Sequence, residues 1–432
     1  MKRSLAFLAV ALSAVRLVAA DLEPRPALPQ LEKFEPIKAP RPSVLLLKQG
    51  DRLAIIGDSI TEQRMYSRMI ETYLAACVPE LQITVRQYGW SGETAEGFAR
   101  RMTNDALRFQ PTIATTCYGM NDHRYRAYDE PNGQWYRSNQ TAIVRAFKGS
   151  GARFVLGSPG CVGKMPGWVK SASGTIDDLN LSLNKFRNID IEIAQAEQVG
   201  FADVFWPMIT TFYEARQKFG DDYYMSGKDG VHPGWAGQTV MAYAFLKGLG
   251  LDGQIGTLTV DLAGQTASAT SGHETKGFAN GQLKVVSRKF PFCATGDLKS
   301  DNSIRSAMTL IPFNEELNRF ILVANGGTAA RYRVTWGAES KSYSAEQLAK
   351  GVNLAADFVV NPFSSAFDRV DTAVAAKQEF ETRQIKELFH GAEGRENMEL
   401  TVKITEKLRA PLAAAIKKAY APVEHTVAIA AE

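Results

Sequence analysis

Three residues in two distant stretches of the sequence have the chemistry to turn a hydroxyl group into a nucleophile. Ser59 lies in GDS at 57–59, and Asp229 and His232 lie in DGVHP at 229–233. The spacing of three lets the carboxylate reach one imidazole nitrogen while the other nitrogen faces outward. A serine hydroxyl needs a base to take its proton, so these residues are candidates for nucleophile, orienting acid and base.

Two further stretches could supply hydrogen-bond donors to a developing anion. Gly92, in YGWSGET at 88–94, has no side chain to cover its N–H. Asn121, in CYGMNDH at 117–123, could point its amide N–H at an oxyanion. Each stretch alone has an ordinary explanation, because Gly-Asp-Ser and Asn-Asp are common turn and helix-cap sequences. All four stretches together, in the order Ser, Gly, Asn and Asp-His, are far less expected by chance than any one of them.

Hydrophobic patterning predicts that these residues meet at one edge of a sheet. From Leu53 onward, short apolar runs alternate with helical stretches, which is typical of βαβ units around a parallel sheet. The carboxyl ends of such strands line the ligand crevice, and each candidate follows a predicted strand or lies in the last loop. The predicted strands are LAIIG (53–57), ITVRQ (83–87), TIATTCYG (112–119), RFVLGS (153–158) and ADVF (202–205).

Residue spacing also predicts two of the connecting helices. The last helix of the unit follows Pro233, a favourable first-turn residue, and ends near Gly250. The first helix has apolar residues at intervals of three and four, namely Met65, Met69, Ile70, Tyr73, Leu74 and Cys77. Their expected role is to pack in the core.

Beyond this unit the hydrophobic period becomes two, in LTVDL (258–262) and RYRVTWG (331–337), which predicts a β-rich module. Ser344 and Gln347 have capping-box spacing for a following helix. The Ala-, Lys-, Glu- and Gln-rich composition further on predicts a helical tail, which Pro411 should break or kink. The predicted segments are an export signal (1–20), a Pro-rich extended leader (21–44), the α/β unit (45–250), the β-rich module (251–360) and the helical C-terminal tail (361–432).

The export signal rests on a basic start, an apolar stretch too short to span a bilayer, and small residues at Ala19 and Ala20. Cleavage after Ala20 and a periplasmic or extracellular location are expected, with a retained anchor as the alternative because Arg16 interrupts the apolar stretch. After cleavage no membrane span is expected.

Charge and cysteine content exclude some classes of function. The formal net charge is +4, of which the signal contributes three, so nothing indicates a nucleic-acid partner. The four cysteines show no CxxC pair for a zinc or redox site, and sequence alone leaves any disulfide open. They are Cys77, Cys117, Cys161 and Cys293.

The four motif stretches, in this order and spacing, resemble the SGNH hydrolase superfamily, the GDSL-type esterases, over about residues 50–250. The resemblance implies a flavodoxin-like three-layer α/β/α fold with a five-stranded parallel sheet of order 2-1-3-4-5. Ile60 stands where the GDSL group has leucine, which changes nothing catalytic. The further 180 or so residues have no function implied by the superfamily pattern.

Carried onto this sequence, the resemblance implies Ser59 as nucleophile, His232 as general base and acid, and Asp229 as its orienter. The oxyanion hole would consist of the Ser59 and Gly92 N–H groups and the Asn121 side chain. No cofactor is implied. A metal site that uses Asp122, His123, Asp229 and His232 is an alternative, but it lacks the close-set helical His pair of hydrolytic zinc sites.

Aromatic residues near the predicted crevice, among them Trp168, could close the core or bind sugar faces. Trp90, Tyr118, His123 and Trp235 are the predicted substrate-lining residues. The favoured substrate is an O-acetyl group on a carbohydrate, either a small molecule or a polysaccharide. A lipid esterase or lysophospholipase, an acyl-thioesterase, and a catalytically silent cell-wall or glycan-binding protein are the alternatives. The exact ester and the oligomeric state are left open.

Overall fold

The computed structural model describes residues 21–169 and 174–432, and its first unit is a five-stranded parallel sheet. The strand order is β2-β1-β3-β4-β5, and each neighbouring pair is parallel, which confirms the predicted fold class. The strands are β1 (Arg52–Gly57), β2 (Thr84–Gly89), β3 (Ile113–Cys117), β4 (Arg153–Gly157) and β5 (Gly200–Ala202). The predicted export signal at 1–20 lies outside the described residues.

Helices cover both faces of this sheet, because its central strands are apolar on both sides. In α2, Met69, Ile70, Tyr73 and Leu74 are buried as predicted. Short 3₁₀ turns lie at Pro29–Leu31, Pro79–Leu81 and Leu107–Phe109. The helices of this unit are α1 (Ser59–Glu62), α2 (Tyr66–Ala76), α3 (Ala95–Asp105), α4 (Glu130–Gly149), α5 (Ile176–Glu197), α6 (Phe205–Phe219) and α7 (Trp235–Gly248).

The Pro-rich leader packs against the parallel-sheet unit as a strap. Leu31 and Phe34 are fully buried, and the Phe34 ring lies 6.0 Å from that of Phe205. The guanidinium of Arg187 donates to the Ile37 carbonyl at 2.7 Å. The leader is thus part of the folded unit.

Two antiparallel-rich sheets form most of the region after α7. Their orders are β13-β10-β6-β7, in which β6 and β10 are parallel, and β12-β11-β14-β9-β8. Alternate residues Tyr332, Val334 and Trp336 are buried, as the period of two predicts. The strands are β6 (Gln254–Asp261), β7 (Thr266–Ala269), β8 (His273–Ala279), β9 (Gln282–Ser287), β10 (Arg319–Asn325), β11 (Arg331–Trp336), β12 (Glu339–Ser344), β13 (Val352–Asn353) and β14 (Val423–Ala431).

The helices of this region include the predicted capped helix. Ser344 and Gln347 form a reciprocal capping box at the start of α10, and Gly351 ends it with φ +97°. The helices are α8 (Ile304–Ala307), α9 (Phe313–Leu317), α10 (Ala345–Lys350), α11 (Leu354–Asp357), α12 (Ser364–Arg383) and α13 (Ala392–Ala419), with a π-helical turn at Gln384–Phe389 between the last two.

Two features of the predicted helical tail are wrong. The last residues form β14 between β9 and β11, because His425, Val427 and Ile429 alternate with more exposed residues and fill the interior of that sheet. Pro411 lies within α13, whose non-helical backbone angles are at Asn397 instead. Pro411 is exposed, so solvent can reach the carbonyl that its missing N–H leaves open.

The four cysteines are free and buried. Over residues 21–169 and 174–432, none of the helices combines the length and apolarity that a membrane crossing needs.

Candidate active site

Ser59 is the first residue of α1 and follows β1 by a sharp turn. A Cβ atom on Gly57 would lie 2.1 Å from Thr61 Oγ1, so only glycine allows this close approach. The Asp58 carboxyl group caps the helix by accepting the Ile60 N–H at 2.9 Å. The turn therefore presents the hydroxyl group at the carboxyl end of the sheet.

His232 and Asp229 meet Ser59 in one chain of hydrogen bonds. His232 Nε2 lies 2.8 Å from Ser59 Oγ, and His232 Nδ1 lies 2.7 Å from Asp229 Oδ2. A carboxylate only accepts, so Nδ1 carries the proton and Nε2 accepts from the serine hydroxyl. The sequence-predicted trio is therefore brought together, although 173 positions separate its ends.

The backbone of the same loop keeps Asp229 charged. Its other oxygen accepts the N–H groups of Val231 and His232, each at 2.9 Å. Partial burial acts to raise the pKa of Asp229, but these hydrogen bonds and the histidine ring outweigh it and lower the pKa below its ordinary value. An ionised Asp229 can hold His232 in the tautomer that accepts a proton from Ser59.

The loop after β2 is packed tightly against α1. A Cβ atom on Gly89 would lie 2.2 Å from Glu62 N, and the Trp90 N–H donates to the Gly57 carbonyl at 3.0 Å. Gly92, further along this loop, is exposed with φ +74°, and a Cβ atom there would meet nothing within 4 Å. Its backbone therefore borders open space beside the helix that Ser59 begins.

Asn121 lies at the end of the loop after β3. Its amide Nδ2 donates to the Glu93 carbonyl at 3.0 Å, which uses one of its two amide hydrogens. This bond joins the loop after β3 to the loop after β2. The second amide hydrogen is the one that an oxyanion could accept.

Two buried carboxyl groups support these loops from behind. Burial raises the pKa of Asp58 to about 8, although one of its oxygens accepts a backbone N–H. Burial also raises the pKa of Asp122 to about 6, against hydrogen bonds from the N–H groups of Ala95 and Gly119. Asp122 therefore joins the start of α3 to the loop after β3, as its turn and cap chemistry predicts.

Two of the predicted substrate-lining residues are wrong, because both are fully buried. The Tyr118 hydroxyl donates to Glu93 at 2.7 Å, and its ring stacks on Phe98. His123 Nδ1 hydrogen-bonds the Met120 carbonyl, and burial lowers the His123 pKa to about 4, so the ring is neutral. Tyr118 is therefore part of the core, and His123 belongs to the turn after β3.

Asp122, a residue of the alternative metal site, has other partners. Both oxygens of Asp122 accept backbone N–H groups. Within the described part of the chain, no three His, Cys, Asp or Glu side chains are grouped as ligands for a metal ion.

Trp90 and Trp235, the other predicted lining residues, are half-buried, and each is close to a cation. The Arg68 guanidinium lies 5.8 Å from the Trp235 ring, and Arg101 lies 4.9 Å from Trp90. Trp168 is more open, with 46% of its surface exposed, and its ring lies 5.7 Å from that of His232. It is the aromatic side chain that faces solvent beside the hydrogen-bonded trio.

The structure adds a contact that sequence reasoning missed. Glu62, the last residue of α1, accepts from the Ser91 N–H and from Lys386 Nζ, the latter at 2.6 Å. Lys386 lies 324 positions away in the π-helical turn. No local sequence pattern distinguishes Lys386, because the residues around it have the composition of an ordinary solvent-exposed charged helix.

Comparisons with known proteins agree with the motifs. A family model described as GDSL-like Lipase/Acylhydrolase family matches residues 55–240. An acetylxylan esterase of Geobacillus stearothermophilus is 24% identical over 225 residues, which cover 47% of this chain and 95% of that protein.

Two similar solved structures cover different shares of the chain. A gut microbial diltiazem-metabolizing enzyme is 21% identical, with a TM-score of 0.73 over 91% of this chain and 100% of that one. This likeness shows a common fold that extends through the C-terminal part. The acetylxylan esterase structure from Geobacillus stearothermophilus is 22% identical and covers 48% of this chain and 96% of that one, with a TM-score of 0.39.

The sheet order, the motif order and the family match all concern the same part of the chain. Residues 55–240 match the GDSL-like Lipase/Acylhydrolase family model, the sheet order of this part of the chain agrees with that match, and the chain is an ester hydrolase.

Proposed function

We propose that this protein hydrolyses carboxylic esters through an acyl-enzyme on Ser59, with His232 as general base and acid and Asp229 as its orienter. The observation that carries the proposal is the chain of hydrogen bonds from Ser59 Oγ to His232 Nε2 at 2.8 Å and from His232 Nδ1 to Asp229 at 2.7 Å. Such a chain supplies both a base for the nucleophile and a fixed tautomer for the base.

In acylation, His232 Nε2 takes the Ser59 proton while Oγ forms a bond to the ester carbonyl carbon and the carbonyl electron pair moves onto oxygen. Collapse of this intermediate breaks the bond to the alcohol, which leaves with the proton from His232. In deacylation, His232 takes a proton from water, hydroxide oxygen bonds to the acyl carbon, and Ser59 recovers its proton as the acid leaves. Both intermediates carry an oxyanion.

The proposed donors to that oxyanion are the N–H groups of Ser59 and Gly92 and the second amide hydrogen of Asn121. Gly92 borders open space, and Asn121 is held by its bond to the Glu93 carbonyl. Each such donor typically contributes about 3 to 4 kcal/mol to stabilisation of the transition state.

The proposed substrate is an O-acetyl group on a carbohydrate. One support is the 24% identical relative, an acetylxylan esterase. The other is Trp168, whose exposed ring beside His232 offers a flat apolar face of the kind that packs on sugar rings. Its indole N–H is held by the Tyr125 hydroxyl, and the two rings are perpendicular at 6.1 Å.

The backbone beneath Tyr125 also supports a role for this corner. Arg124 and Tyr125 are both left-handed, with φ values of +56° and +51°. Non-glycine residues adopt this conformation at an energy cost and only where the surrounding structure enforces it, which is a common feature of ligand sites. An oriented Tyr125 in turn fixes the face that Trp168 presents.

The test is a comparison of acetate release from acetylated xylo-oligosaccharides with hydrolysis of p-nitrophenyl octanoate. The proposal predicts a higher kcat/KM on the acetylated sugar. Trp168→Ala should raise KM for that sugar about 10-fold, Trp168→Phe less, and neither should change hydrolysis of p-nitrophenyl acetate. The reverse ranking would indicate a lipid esterase or thioesterase, and glycan binding without turnover would indicate a silent binding protein.

Export to the periplasm or the extracellular space is also proposed, on the sequence of residues 1–20 alone. N-terminal sequencing of protein secreted from a bacterial host tests it. A mature chain that begins at Asp21 is expected, and a chain that keeps Met1 would contradict cleavage.

A further inference from the structure

The loop after β2 is bonded to the C-terminal part of the chain from two sides. This loop, residues 90–93, contains the proposed oxyanion donor Gly92 and is called the oxyanion loop below. The C-terminal side consists of the π-helical turn Gln384–Phe389 and the following His390. Two chains of charged contacts and one aromatic contact connect them.

The first chain passes through Glu62. One carboxylate oxygen accepts the Ser91 N–H, and the other accepts from Lys386 Nζ at 2.6 Å. Partial burial acts to raise the pKa of Glu62, but the hydrogen bonds from Lys386 and Ser91 outweigh it and lower the pKa, so the carboxylate is charged. Glu62 ends the helix that Ser59 begins. A single charged group therefore joins the nucleophile helix, the oxyanion loop and the C-terminal part.

The second chain passes through Arg101. His390 Nε2 lies 2.8 Å from Asp105 Oδ2, and Arg101 donates to the same oxygen at 3.1 Å. Arg101 also makes two bonds to the Glu93 carboxylate, at 2.6 and 2.7 Å. The Glu93 carbonyl accepts from the Asn121 amide. This chain thus reaches the second proposed oxyanion donor.

The Trp90 ring fills the space between the two chains. The His390 ring lies edge-on to it at 4.9 Å, Lys386 Nζ lies 5.6 Å from its centre, and Arg101 lies 4.9 Å from it. A π-helical turn is rare and usually occurs where a helix serves a functional site. Here it brings Lys386 and His390, four positions apart, to the same tryptophan.

We propose that Lys386 and His390 are positioning residues, which fix the oxyanion loop so that the Gly92 N–H and the Asn121 amide face the oxygen on which charge develops. The proposal rests on the proposed function, since it concerns the oxyanion hole of that reaction. It assigns the C-terminal helices a role in turnover itself.

The physical reason lies in how an oxyanion hole works. Its donors stabilise the transition state because they are already oriented, and a displacement of about 1 Å can cost up to about 100-fold in rate. Gly92 is exposed and lacks side-chain contacts, and within its own segment the Glu93 N–H donates to the Trp90 carbonyl at 3.2 Å to close a turn across it. Further restriction comes from the residues on either side: Ser91 bonds Glu62, which Lys386 contacts, and Glu93 bonds Arg101, which shares Asp105 with His390.

The test is the steady-state hydrolysis of p-nitrophenyl acetate, a small ester without a sugar, by the full-length protein. Lys386→Met should lower kcat about 10-fold with KM unchanged and with the unfolding temperature within about 2 °C of wild type. Lys386→Arg should restore most of kcat. The matched control is Arg383→Met, which removes a cation one turn away whose side chain is 63% exposed and should leave kcat unchanged.

A double variant separates positioning from general damage. Lys386 acts through Glu62, so Glu62→Gln combined with Lys386→Met should have about the same kcat as Glu62→Gln alone. If neither Lys386 variant folds, two other variants take their place in the test. Glu62→Gln weakens the contact with Lys386, and His390→Gln alters the contact with Asp105. Unchanged kcat in Lys386→Met, or a loss equal to that of Arg383→Met, would overturn the proposal. Wild type without turnover on any ester would instead refute the proposed function.

Discussion

The parallel-sheet unit and the C-terminal part contain different kinds of buried charge, and each kind matches what its region does. In the parallel-sheet unit, polar and charged side chains in the loops at the carboxyl end of the sheet, namely His232, Asp229 and Asn121, contact Ser59 or hold the loops beside it. In the C-terminal part, charged groups of α12 and α13 cover the open edge of the sheet. One region therefore contains the proposed catalytic residues and the other stabilises the sheet beneath them, and Lys386 of the C-terminal part joins the two through Glu62.

Coverage of the sheet edge is seen at β2, one of its two edge strands. The Gln87 N–H donates to Glu381 at 3.2 Å, and the Val85 carbonyl accepts from Lys377 Nζ at 2.7 Å. An open edge presents unpaired backbone groups that favour aggregation, and side chains that bond them remove this liability. The C-terminal helices are therefore part of the fold of the hydrolase domain.

The two regions also differ in the titratable groups that they bury. Behind the active site lie Asp58 and Asp122, whose pKa values burial raises to about 8 and about 6. Between the C-terminal sheets lie two histidines, and burial lowers the pKa of His425 to about 3 and also lowers that of His273. The regions should therefore respond to pH in opposite directions.

Both histidines belong to one directed chain of hydrogen bonds. Trp336 Nε1–H donates to His425 Nδ1 at 3.1 Å, so His425 Nε2 carries its proton and donates to Ser287 Oγ at 2.9 Å. Ser287 then donates to His273 Nδ1 at 2.8 Å, and His273 Nε2 donates to the Ile255 carbonyl at 3.0 Å. Both histidine rings are neutral in this arrangement. A proton added to either ring would break the chain of hydrogen bonds.

The largest expected effect is on the chemistry of the first region alone. Ser59→Ala removes the proposed nucleophile, so kcat should fall by about 10⁴- to 10⁶-fold, with the free energy of unfolding within about 1 kcal/mol of wild type. Ester hydrolysis and urea unfolding of the same preparation measure both. A variant that keeps a tenth of the wild-type rate would remove Ser59 from the mechanism.

The next effect is on stability alone, in the second region. Lys377 is buried and lies 2.7 Å from Glu381 and 3.1 Å from Glu71. Lys377→Met leaves two buried carboxylates without this cation, and the free energy of unfolding should fall by about 3 to 5 kcal/mol. The rate per folded molecule should not change, because Lys377 contacts none of the residues at the active site.

A matched control for Lys377 exists on α10. Lys350→Met breaks an exposed pair with Glu346, in which both side chains are at least 74% exposed, and should cost at most about 1 kcal/mol. Urea unfolding compares the two variants. Equal losses of stability would show that burial of the ion pairs of Lys377 does not contribute to the stability of the C-terminal part.

An effect of comparable size is expected on turnover when an oxyanion donor is removed. Asn121→Ala removes one proposed oxyanion donor, so kcat should fall about 10²- to 10³-fold while KM changes little. The control is Asn139→Ala, which removes the hydrogen bond from the Asn139 side-chain amide to the Trp135 carbonyl within α4. This variant should leave kcat unchanged. Steady-state kinetics decides, and equal turnover in the Asn121 variant and wild type would exclude Asn121 from the site.

The smallest effect is the pH response of the second region. Folded His425 stays neutral down to about pH 3, whereas the unfolded chain binds a proton below its ordinary pKa of 6.5. The unfolded state therefore binds more protons between these values, and stability should fall as the pH drops, by at most about 1.4 kcal/mol per pH unit for one histidine. Hydrogen exchange of the β14 amides at pH 5, 6 and 7 measures this.

The variant His425→Gln should flatten that dependence of stability on pH. Protection of β14 that does not change from pH 7 to pH 5 would contradict the neutral histidine chain.

Asp58 makes stability change with pH in the opposite direction. Between its ordinary pKa of 3.8 and about 8, the folded state keeps a proton that the unfolded state loses, so stability falls as the pH rises.

Local patterns were enough to predict the parallel-sheet unit. Each strand is a short apolar run, and each candidate side chain follows its strand within a few residues or lies in the last loop, before a proline-initiated helix. The order of the sheet and the positions of Ser59, Asp229 and His232 were therefore predictable from motifs and from the family resemblance. Tyr118 and His123 were misplaced, because a residue next to a strand end can turn inward as easily as outward, and sequence does not record which.

The rest depends on contacts between distant parts of the chain. The alternation at His425, Val427 and Ile429 was a local signal for β14, but helix-forming composition just before it outweighed that signal. Lys386 carried no signal at all, because its partner Glu62 lies 324 positions earlier. Which surface a long amphipathic helix covers is decided by tertiary packing.

The most direct test of the central claim is covalent labelling with a fluorophosphonate, followed by peptide mass spectrometry. The hydrogen bond from Ser59 to His232 predicts one adduct, on Ser59, and its rate of formation should fall at least about 10³-fold in His232→Ala. An adduct on another residue, or labelling of Ser59 at the same rate without His232, would contradict the account.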